Sequence, residues 1–183
     1  MTCWELPVSA EIGGKVYEIH ADFRDVLEIF SYFNDPDLPE YLKWRVALAL
    51  FYEGEIPEQH RQQAATFLAE FLCGGKKDEP GAKLLDWEHD APLIVADVNQ
   101  VAGQEIRSLP FLHWWSFLSF FHAIGQGQLS AVVAIRDKLR RGKPLEKWEK
   151  DFYREHKSQV DLPKQYSARE RQEQQRLLQL LGE

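Results

Sequence analysis

LPFLHWWSFLSFFHAI, residues 109–124, is the most apolar long segment of this chain and predicts its central element. Eleven of its sixteen residues are apolar, among them two tryptophans and four phenylalanines. Its polar members stand at every third position: His113, Ser116, Ser119 and His122. At about 100° per residue, these positions move around a helix and form no single polar face. A helix that is apolar on all sides belongs in a packed bundle, in a membrane or under a partner.

The composition favours a packed bundle over a membrane span. The chain has 183 residues, of which 44% are hydrophobic and 13% aromatic, and this suits one domain with a substantial core. The apolar segment would span only about 24 Å as a helix, less than the roughly 30 Å hydrocarbon core of a bilayer. The first residues, MTCWELPVSA, lack the basic start and apolar run of a signal peptide. We therefore expect a soluble protein that makes no membrane contact.

Charge is divided unevenly along the chain, whose formal net charge is −7. Residues 1–125 hold 9 Lys/Arg and 20 Asp/Glu, a net −11, whereas residues 126–183 hold 13 and 9, a net +4. An acidic body with a mildly basic end can pair with itself, with a second copy or with an acidic partner, or it can be an ordinary solvated surface. The overall acidity disfavours a general nucleic-acid coat, which needs a basic surface.

The first predicted elements are a β-hairpin at about residues 8–20 and a helix that follows it. Gly13-Gly14 is a strong two-residue turn signal, and the strand after it alternates apolar and polar residues. Asp22 stands where a helix N-cap belongs. The helix then carries an apolar stripe at i, i+3, i+4 and i+7: Phe23, Val26, Leu27 and Phe30.

Glycines and prolines divide the rest of the chain into further helices. We expect them at about residues 40–52, 58–73, 93–102 (N-capped by Asp90), 109–124, 129–139 and 145–157. After Pro163, a charged last segment carries an apolar patch: Leu177, Leu178, Leu180 and Leu181. The sequence thus predicts a mostly α-helical, single-domain bundle around the aromatic helix, with the hairpin at its N-terminus, over residues 1–165. Residues 166–183 are expected to form a charged C-terminal tail, helical or flexible.

No P-loop, dinucleotide-binding, nucleophile-elbow or zinc-protease motif is present in the sequence. His113 and His122 lie nine residues apart, on opposite faces of a straight helix, and cannot share a metal ion there. Cys3 and Cys73 have no CxxC spacing. One acidic cluster comprises Asp86, Glu88, His89 and Asp90. It could hold a divalent cation, but carboxylates at the start of a helix more often cap the free N–H groups of that helix. We expect no catalytic residue, no cofactor and no metal.

Seven basic residues lie close together in the C-terminal third: Arg136, Lys138, Arg140, Arg141, Lys143, Lys147 and Lys150. Three acidic residues are interleaved with them, which leaves a net +4 over residues 134–150. Nucleic-acid binding is one interpretation of this run. A solvated helix surface or an acidic protein partner fits better, because phosphate binding needs a concentrated basic face and the whole chain is acidic.

The aromatic segment has two open interpretations. One is plain core, where aromatic side chains usually lie. The other is a partly exposed edge that receives a partner helix, because tryptophan is common in interface hot spots. The predicted structural core comprises Phe23, Leu27, Phe30, His113, Phe117 and Leu118. The candidates for partner contact are Trp87, Phe111, Trp114 and Trp115, of which the last two are also candidates for the central scaffold.

Three stretches of the chain resemble one family when taken together. They are IGGKVYEI followed by ADFR (12–19, 21–24), LLDWEHDAPLI (84–94) and LHWWSFLSF (112–120). Their order and spacing resemble the bacteriophage gp-fifteen family, over about residues 8–165, and His113-Trp114-Trp115 is the most specific element. Two departures stand out. Pro92 lies in a segment that is usually uninterrupted helix, and residues 136–155 fit the family pattern only loosely.

The resemblance implies a non-enzymatic tail-assembly chaperone in the cytoplasm of the host bacterium. Its implied partner is the phage tape-measure protein, a long helical chain, with the major tail (tube) protein and a second copy of this chain as further candidate partners. No catalytic residue is implied. The alternative from another class is a structural tail or neck component that is retained in the virion.

Overall fold

The computed structural model describes residues 5–75 and 82–181 of the chain. Two short antiparallel strands come first: β1 (Ser9–Ile12) and β2 (Lys15–Glu18). The helices that follow are α1 (Phe23–Asn34), α2 (Glu40–Phe51), α3 (Arg61–Leu72), α4 (Ala91–Ala102), α5 (Trp114–His122), α6 (Gln128–Arg140), α7 (Lys147–Glu155), α8 (Lys157–Val160) and α9 (Ala168–Leu181). The predicted fold class, mostly helical with a small N-terminal hairpin, is confirmed.

The hairpin forms because two glycines supply the backbone that its turn requires. Gly13 and Gly14 have φ angles of 59° and 80°, the left-handed values needed at both central positions of a type I′ turn. The register pairs Ala10 with Tyr17, and both side chains are buried. Ile19 continues the strand by bridging to Tyr52 at the end of α2. The alternation in the sequence therefore correctly predicts which hairpin face is buried.

Helix α1 begins as the sequence predicts. The Asp22 carboxylate accepts a hydrogen bond of 3.0 Å from the backbone N–H of Arg24 and caps the helix. The buried residues of α1 are Phe23, Val26 and Ile29, whereas Leu27 and Phe30 are half-buried against the core. The four residues of the predicted stripe therefore all face the core. The buried face of α1 also includes Ile29, which the prediction left out.

The aromatic helix is shorter than predicted, because α5 starts at Trp114. Residues 111–113 are extended and pair with the start of α1: Phe23 N–H donates to Leu112 C=O at 2.9 Å and Trp114 N–H to Ala21 C=O at 2.7 Å. His113 is the N-cap of α5. The backbone of Leu112 and the N–H of Trp114 are thus satisfied by another segment, and residues 111–113 do not enter the helix.

Helix α5 holds the centre of the core. Trp114 and Phe117 are buried, and the Phe117 ring stacks on that of Phe23 with centroids 5.0 Å apart. The indole N–H groups of Trp114 and Trp115 donate to the carbonyls of Leu72 and Phe71 at 3.0 and 2.9 Å. These two bonds satisfy carbonyls at the C-terminal end of α3, so they join α5 to α3. The opposite side of α5 is exposed at Ser119 and His122, and the helix is not buried on all sides.

A buried ion pair joins α6 to the segment before α4. Asp90 is the N-cap residue of α4, as predicted, but its side chain makes no capping hydrogen bond. It accepts instead from both terminal nitrogens of Arg136, at 2.7 and 2.8 Å. The remaining donors of Arg136 bind three backbone carbonyls: those of Leu84, Gln159 and Val160. Every guanidinium donor is used, and Arg136 ties residues 84–90 and α8 to α6.

The other boundaries differ from the predictions in small ways. A 3-10 turn (Glu58–His60) precedes α3, and the helix predicted at 145–157 divides at His156 into α7 and α8. Pro92 lies in the first turn of α4, where its missing N–H interrupts nothing. The charged segment after Pro163 is helical as α9. The side chains of the predicted patch Leu177, Leu178, Leu180 and Leu181 lie outside the described residues. The division of the chain at residue 165 stays a prediction.

Candidate docking groove

The aromatic residues predicted to contact a partner are placed unequally. Trp114 and Trp115 are buried and spend their indole N–H groups on α3. Trp114 is fully buried and offers no ring surface to a partner, whereas Trp115 is 7% exposed and lines a small pocket, so partner contact by Trp115 stays a prediction. Trp87 is half-buried between Trp114 and Phe121, with ring centroids 5.7 and 5.1 Å away. Phe111 is 54% exposed. Partner contact by Trp87 and Phe111 stays a prediction.

The predicted core residues all lie in or against the core. Phe23, His113 and Phe117 are buried, and Leu27, Phe30 and Leu118 are half-buried and packed on the buried cluster. His113 is held in one neutral form: its Nε2 donates to Pro7 C=O and its Nδ1 accepts from Trp115 N–H, both at 3.0 Å. Burial lowers the pKa of His113 below its usual range, and the bond to Pro7 opposes this only in part. A core role explains this histidine completely.

The acidic cluster before α4 is occupied by internal hydrogen bonds. One oxygen of Asp86 accepts from the backbone N–H groups of Glu88 and His89, and the other pairs with Lys83 at 2.9 Å. Burial alone would raise the pKa of Asp86, but the His89 N–H and the Lys83 ammonium lower it overall. Among the described residues, no group of three or more His, Cys, Asp or Glu side chains is arranged to hold a metal ion.

Four residues of the basic run form ion pairs, and one of these pairs attaches α7 to α6. Arg136 is buried, and Lys138 pairs with the buried Glu149 at 2.6 Å. Arg140 and Arg141 both pair with Asp137, at 2.9 Å. The Lys138 ammonium holds the pKa of Glu149 below its usual range. The sequence favoured a solvated helix surface or an acidic protein partner for this run. Arg136 and Lys138 instead join elements of the fold, whereas Arg140 and Arg141 lie exposed at the end of α6.

The clearest unfilled surface lies between α2 and α3. A cavity of about 820 Å³ opens there, with a second of about 410 Å³ beside it that shares Arg45, Leu48 and Arg61. We call this continuous depression the α2/α3 groove. Tyr52 Oη, just after α2, donates to Ala64 C=O near the start of α3 at 2.9 Å. The two helices are therefore antiparallel neighbours, and the groove runs along both.

Helix α2 lines the groove because it is apolar on more than one side. Its inward residues Ala47 and Phe51 are buried in the core. A second stripe at i, i+3, i+4 and i+7 faces the groove: Tyr41, Trp44, Arg45 and Leu48. Tyr41 is 65% exposed. This second stripe was not identified from the sequence. The signal for it was the presence of apolar residues on two faces of α2.

Helix α3 supplies a floor of small residues and a charge at each end. Ala65 and Ala69 line the groove one turn apart, with Arg61 at one end and Glu70 at the other. Arg61 pairs weakly with Glu58 at 3.5 Å, whereas Arg45 forms no ion pair within the described part of the chain. Small side chains allow another backbone to approach closely, and the flanking aromatic rings provide walls. The shape and chemistry therefore suit a third helix.

The walls of the groove are held in place by the core beneath them. The Trp44 ring packs edge-on against Phe33 at 5.0 Å, and the neighbouring Lys43 is buried and donates to Phe33 C=O at 2.9 Å. Phe51 contacts Phe71 of α3 at 4.9 Å below the floor. Burial raises the pKa of Tyr52 well above its usual value, in agreement with its role as an internal donor. The groove is therefore preorganised, which lowers the entropic cost of binding.

Comparisons with known proteins agree with the resemblance seen in the sequence. The family described as Bacteriophage Gp15 protein matches residues 4–162. Neither the curated proteins nor the solved structures contain a match. In the described part of the chain, no helix has both the length and the apolar character to cross a bilayer. The family match spans the hairpin and α1 to α8, and the chain belongs to the Bacteriophage Gp15 protein family.

Proposed function

We propose that this protein is a tail-assembly chaperone that holds amphipathic helical segments of the phage tape-measure protein in its α2/α3 groove. The observation that carries the proposal is an apolar groove, about 820 Å³ in volume, that is open between two packed helices. Membership of a bacteriophage family supplies the setting. In this proposal the protein acts without catalysis or a cofactor, in the cytoplasm of the host bacterium, before the virion is complete.

The dimensions of the groove match a short helical segment. Along α3, from Arg61 to Ala69, eight residues rise about 12 Å, which corresponds to about two turns of a docked helix. A client helix with apolar residues at i, i+4 and i+8 would place them over Ala65, Ala69 and the ring of Trp44. Tyr41 and Trp44 are the residue types that most often contribute strongly to binding at interfaces.

The chemistry of the groove also suits a temporary contact. A holdase must stabilise exposed apolar surface during assembly and then release it, so each contact needs to be modest. A groove that covers only about two turns of helix, with charged rims at Arg45 and Glu70, provides such a contact. A long helical client can engage many copies along its length, and the summed binding is then much stronger than any single site. The tube protein is a second partner in this proposal.

Co-expression tests the proposal against the structural alternative. The tape-measure protein should stay soluble when it is made with this chain and aggregate when it is made alone, and the two should co-purify. Mass spectrometry of purified virions should then find this chain absent or far below the copy number of tube subunits. A stoichiometric amount in the virion would instead identify a structural tail or neck component.

A further inference from the structure

We infer that the α2/α3 groove also receives helix α9 of a second copy of this chain, so that the protein associates with itself through the surface proposed for its client. The inference rests on the proposed function only in using the same groove. It requires no tape-measure protein, and its test is separate.

Among the described side chains, the contacts that attach helix α9 to the body lie at its first turn. Arg171 pairs with Asp37 at 2.8 Å, and Ala168 N–H donates to the same carboxylate. Beyond this turn, the α9 side chains that the structure describes are exposed: Gln172, Glu173, Gln175, Arg176 and Gln179. A helix this short is marginal in water unless it packs against another surface. A surface that covers the helix beyond its first turn would therefore stabilise α9.

Three residues of α9 have the same spacing as three residues of the groove. In the sequence, Glu173, Leu177 and Leu181 recur at intervals of four, the spacing of residues that share one side of a helix. Arg61, Ala65 and Ala69 recur at the same interval along the groove. With the two helices parallel and in this register, an acidic residue meets an arginine and each leucine lies over an alanine.

The charges fix the direction of the docked helix. Glu173 must lie at the groove end that holds Arg61 and Arg45, because the other end carries Glu70. The leucines then occupy the part of the groove walled by Trp44 and Tyr41. The opposite direction would place Glu173 beside Glu70 and leave both arginines facing leucine. Only one of the two directions pairs the charges.

This direction selects a second copy as the source of α9. The anchor Asp37 lies in the loop just before α2, and therefore on the Tyr41 side of its own groove. Glu173 follows the anchored Arg171 by two residues, a rise of about 3 Å along a helix. Arg61 of the same copy lies at the opposite end of the groove from Tyr41, about 12 Å from Ala69 along α3. An anchored α9 cannot enter its own groove in the required direction, whereas a neighbour's α9 can.

The contact is heterologous, since a helix of one copy fills a groove of the next and the two surfaces differ. An open chain of copies therefore ends in one free groove and one free helix α9, unless the chain closes into a ring. A client segment with the same pattern would compete for the same groove. Self-association is therefore expected to keep the apolar groove covered until the client is present.

Analytical ultracentrifugation of the full chain, from micromolar to near-millimolar concentration, tests the inference with paired variants. Ala69→Arg blocks the groove and Leu177→Arg removes an anchor from α9, and each should weaken self-association at least about tenfold. Ala96→Arg, at an exposed position of α4, is the matched control and should associate like the unmodified chain. Circular dichroism checks that every variant stays folded.

Mixing the two variants gives the sharpest result. Ala69→Arg keeps an intact α9, and Leu177→Arg keeps an intact groove, so an equimolar mixture should form a one-to-one dimer that neither variant forms alone. A charge exchange adds a second check: Glu173→Arg should weaken association and Arg61→Glu in the partner copy should restore it. The inference is overturned if the unmodified chain stays monomeric throughout, if Ala69→Arg associates normally, or if the mixture stays monomeric.

Discussion

The guanidinium of Arg136 holds the carboxylate of Asp90 in the core through two hydrogen bonds of 2.7 and 2.8 Å. The pair joins α6 to the segment before α4, and the carbonyls of Gln159 and Val160 bring α8 to the same guanidinium. Both side chains of this pair are buried. A change in its geometry should therefore affect the free energy of unfolding more than a change in any surface ion pair of the described structure.

Removal of one partner of this pair should be strongly destabilising. Arg136→Met leaves the Asp90 carboxylate buried without its cation, and we expect a loss of about 3–5 kcal/mol in the free energy of unfolding. Urea denaturation followed by tryptophan fluorescence measures it. Arg140→Met, which removes an exposed ion pair with Asp137, is the control and should cost less than about 1 kcal/mol. Equal effects of the two substitutions would refute a structural role for the buried pair.

His113 should make the fold sensitive to mild acid. Its pKa in the folded state is lowered by burial, so the unfolded chain binds more protons between the folded pKa and the ordinary value of about 6.5. The stabilising contribution is therefore complete above about pH 6.5 and is lost as the pH falls through this window. Physically, protonation of Nδ1 would remove the acceptor of the Trp115 N–H.

Denaturation of the unmodified chain and of His113→Asn between about pH 5 and 8 measures this contribution. The difference in unfolding free energy between the two proteins should shrink as the pH falls, since only the unmodified chain carries this titrating ring. A constant difference across the range would mean that His113 titrates equally in both states.

Trp114 should behave as a core residue. The ring is buried against Phe117 and Phe30, and Trp114→Ala should cost about 3–5 kcal/mol through lost burial and a residual cavity. Trp148 is 53% exposed, so Trp148→Ala serves as the control and should cost less than about 1 kcal/mol. A Trp114→Ala protein that kept full stability yet lost client binding would move this residue to the interface.

Most of the architecture follows from local patterns in the sequence. The glycine pair gives the hairpin, Asp22 gives the start of α1, and apolar spacing gives the helices, because each of these signals acts over a few residues. The aromatic helix was predicted too long because the segment before His113 pairs with the start of α1, some 90 residues away in the chain. Local apolar spacing cannot detect such a pairing.

The candidate site was harder to predict than the fold. The aromatic segment was the most visible feature, yet its two tryptophans turned inward to satisfy the last carbonyls of α3. Arg136 and Asp90 were assigned separately to a basic surface and to a helix cap, since their pairing depends on how α6 packs. The groove residues Tyr41 and Trp44 gave a weaker signal, because an apolar helix face in a sequence does not show whether another helix covers it.

Arg45 should contribute to client binding through its charge. It lies in the groove without an ion pair among the described residues, and an acidic residue of a docked helix would meet it. Arg45→Glu should weaken binding of the tape-measure protein by about tenfold and remove most of its salt dependence, while the unfolding free energy changes little. Co-purification at two salt concentrations measures this effect, and equal binding by both proteins would exclude Arg45 from the contact.

The most direct test of the groove compares two matched substitutions in the full chain. Ala69→Arg places a long cation in the floor of the α2/α3 groove, and Ala96→Arg places the same side chain on an exposed face of α4. The quantity to measure is the amount of tape-measure protein that co-purifies per mole of each variant. We expect Ala96→Arg to give the same yield as the unmodified chain and Ala69→Arg to lose at least about tenfold. Equal yields from the two folded variants would contradict it.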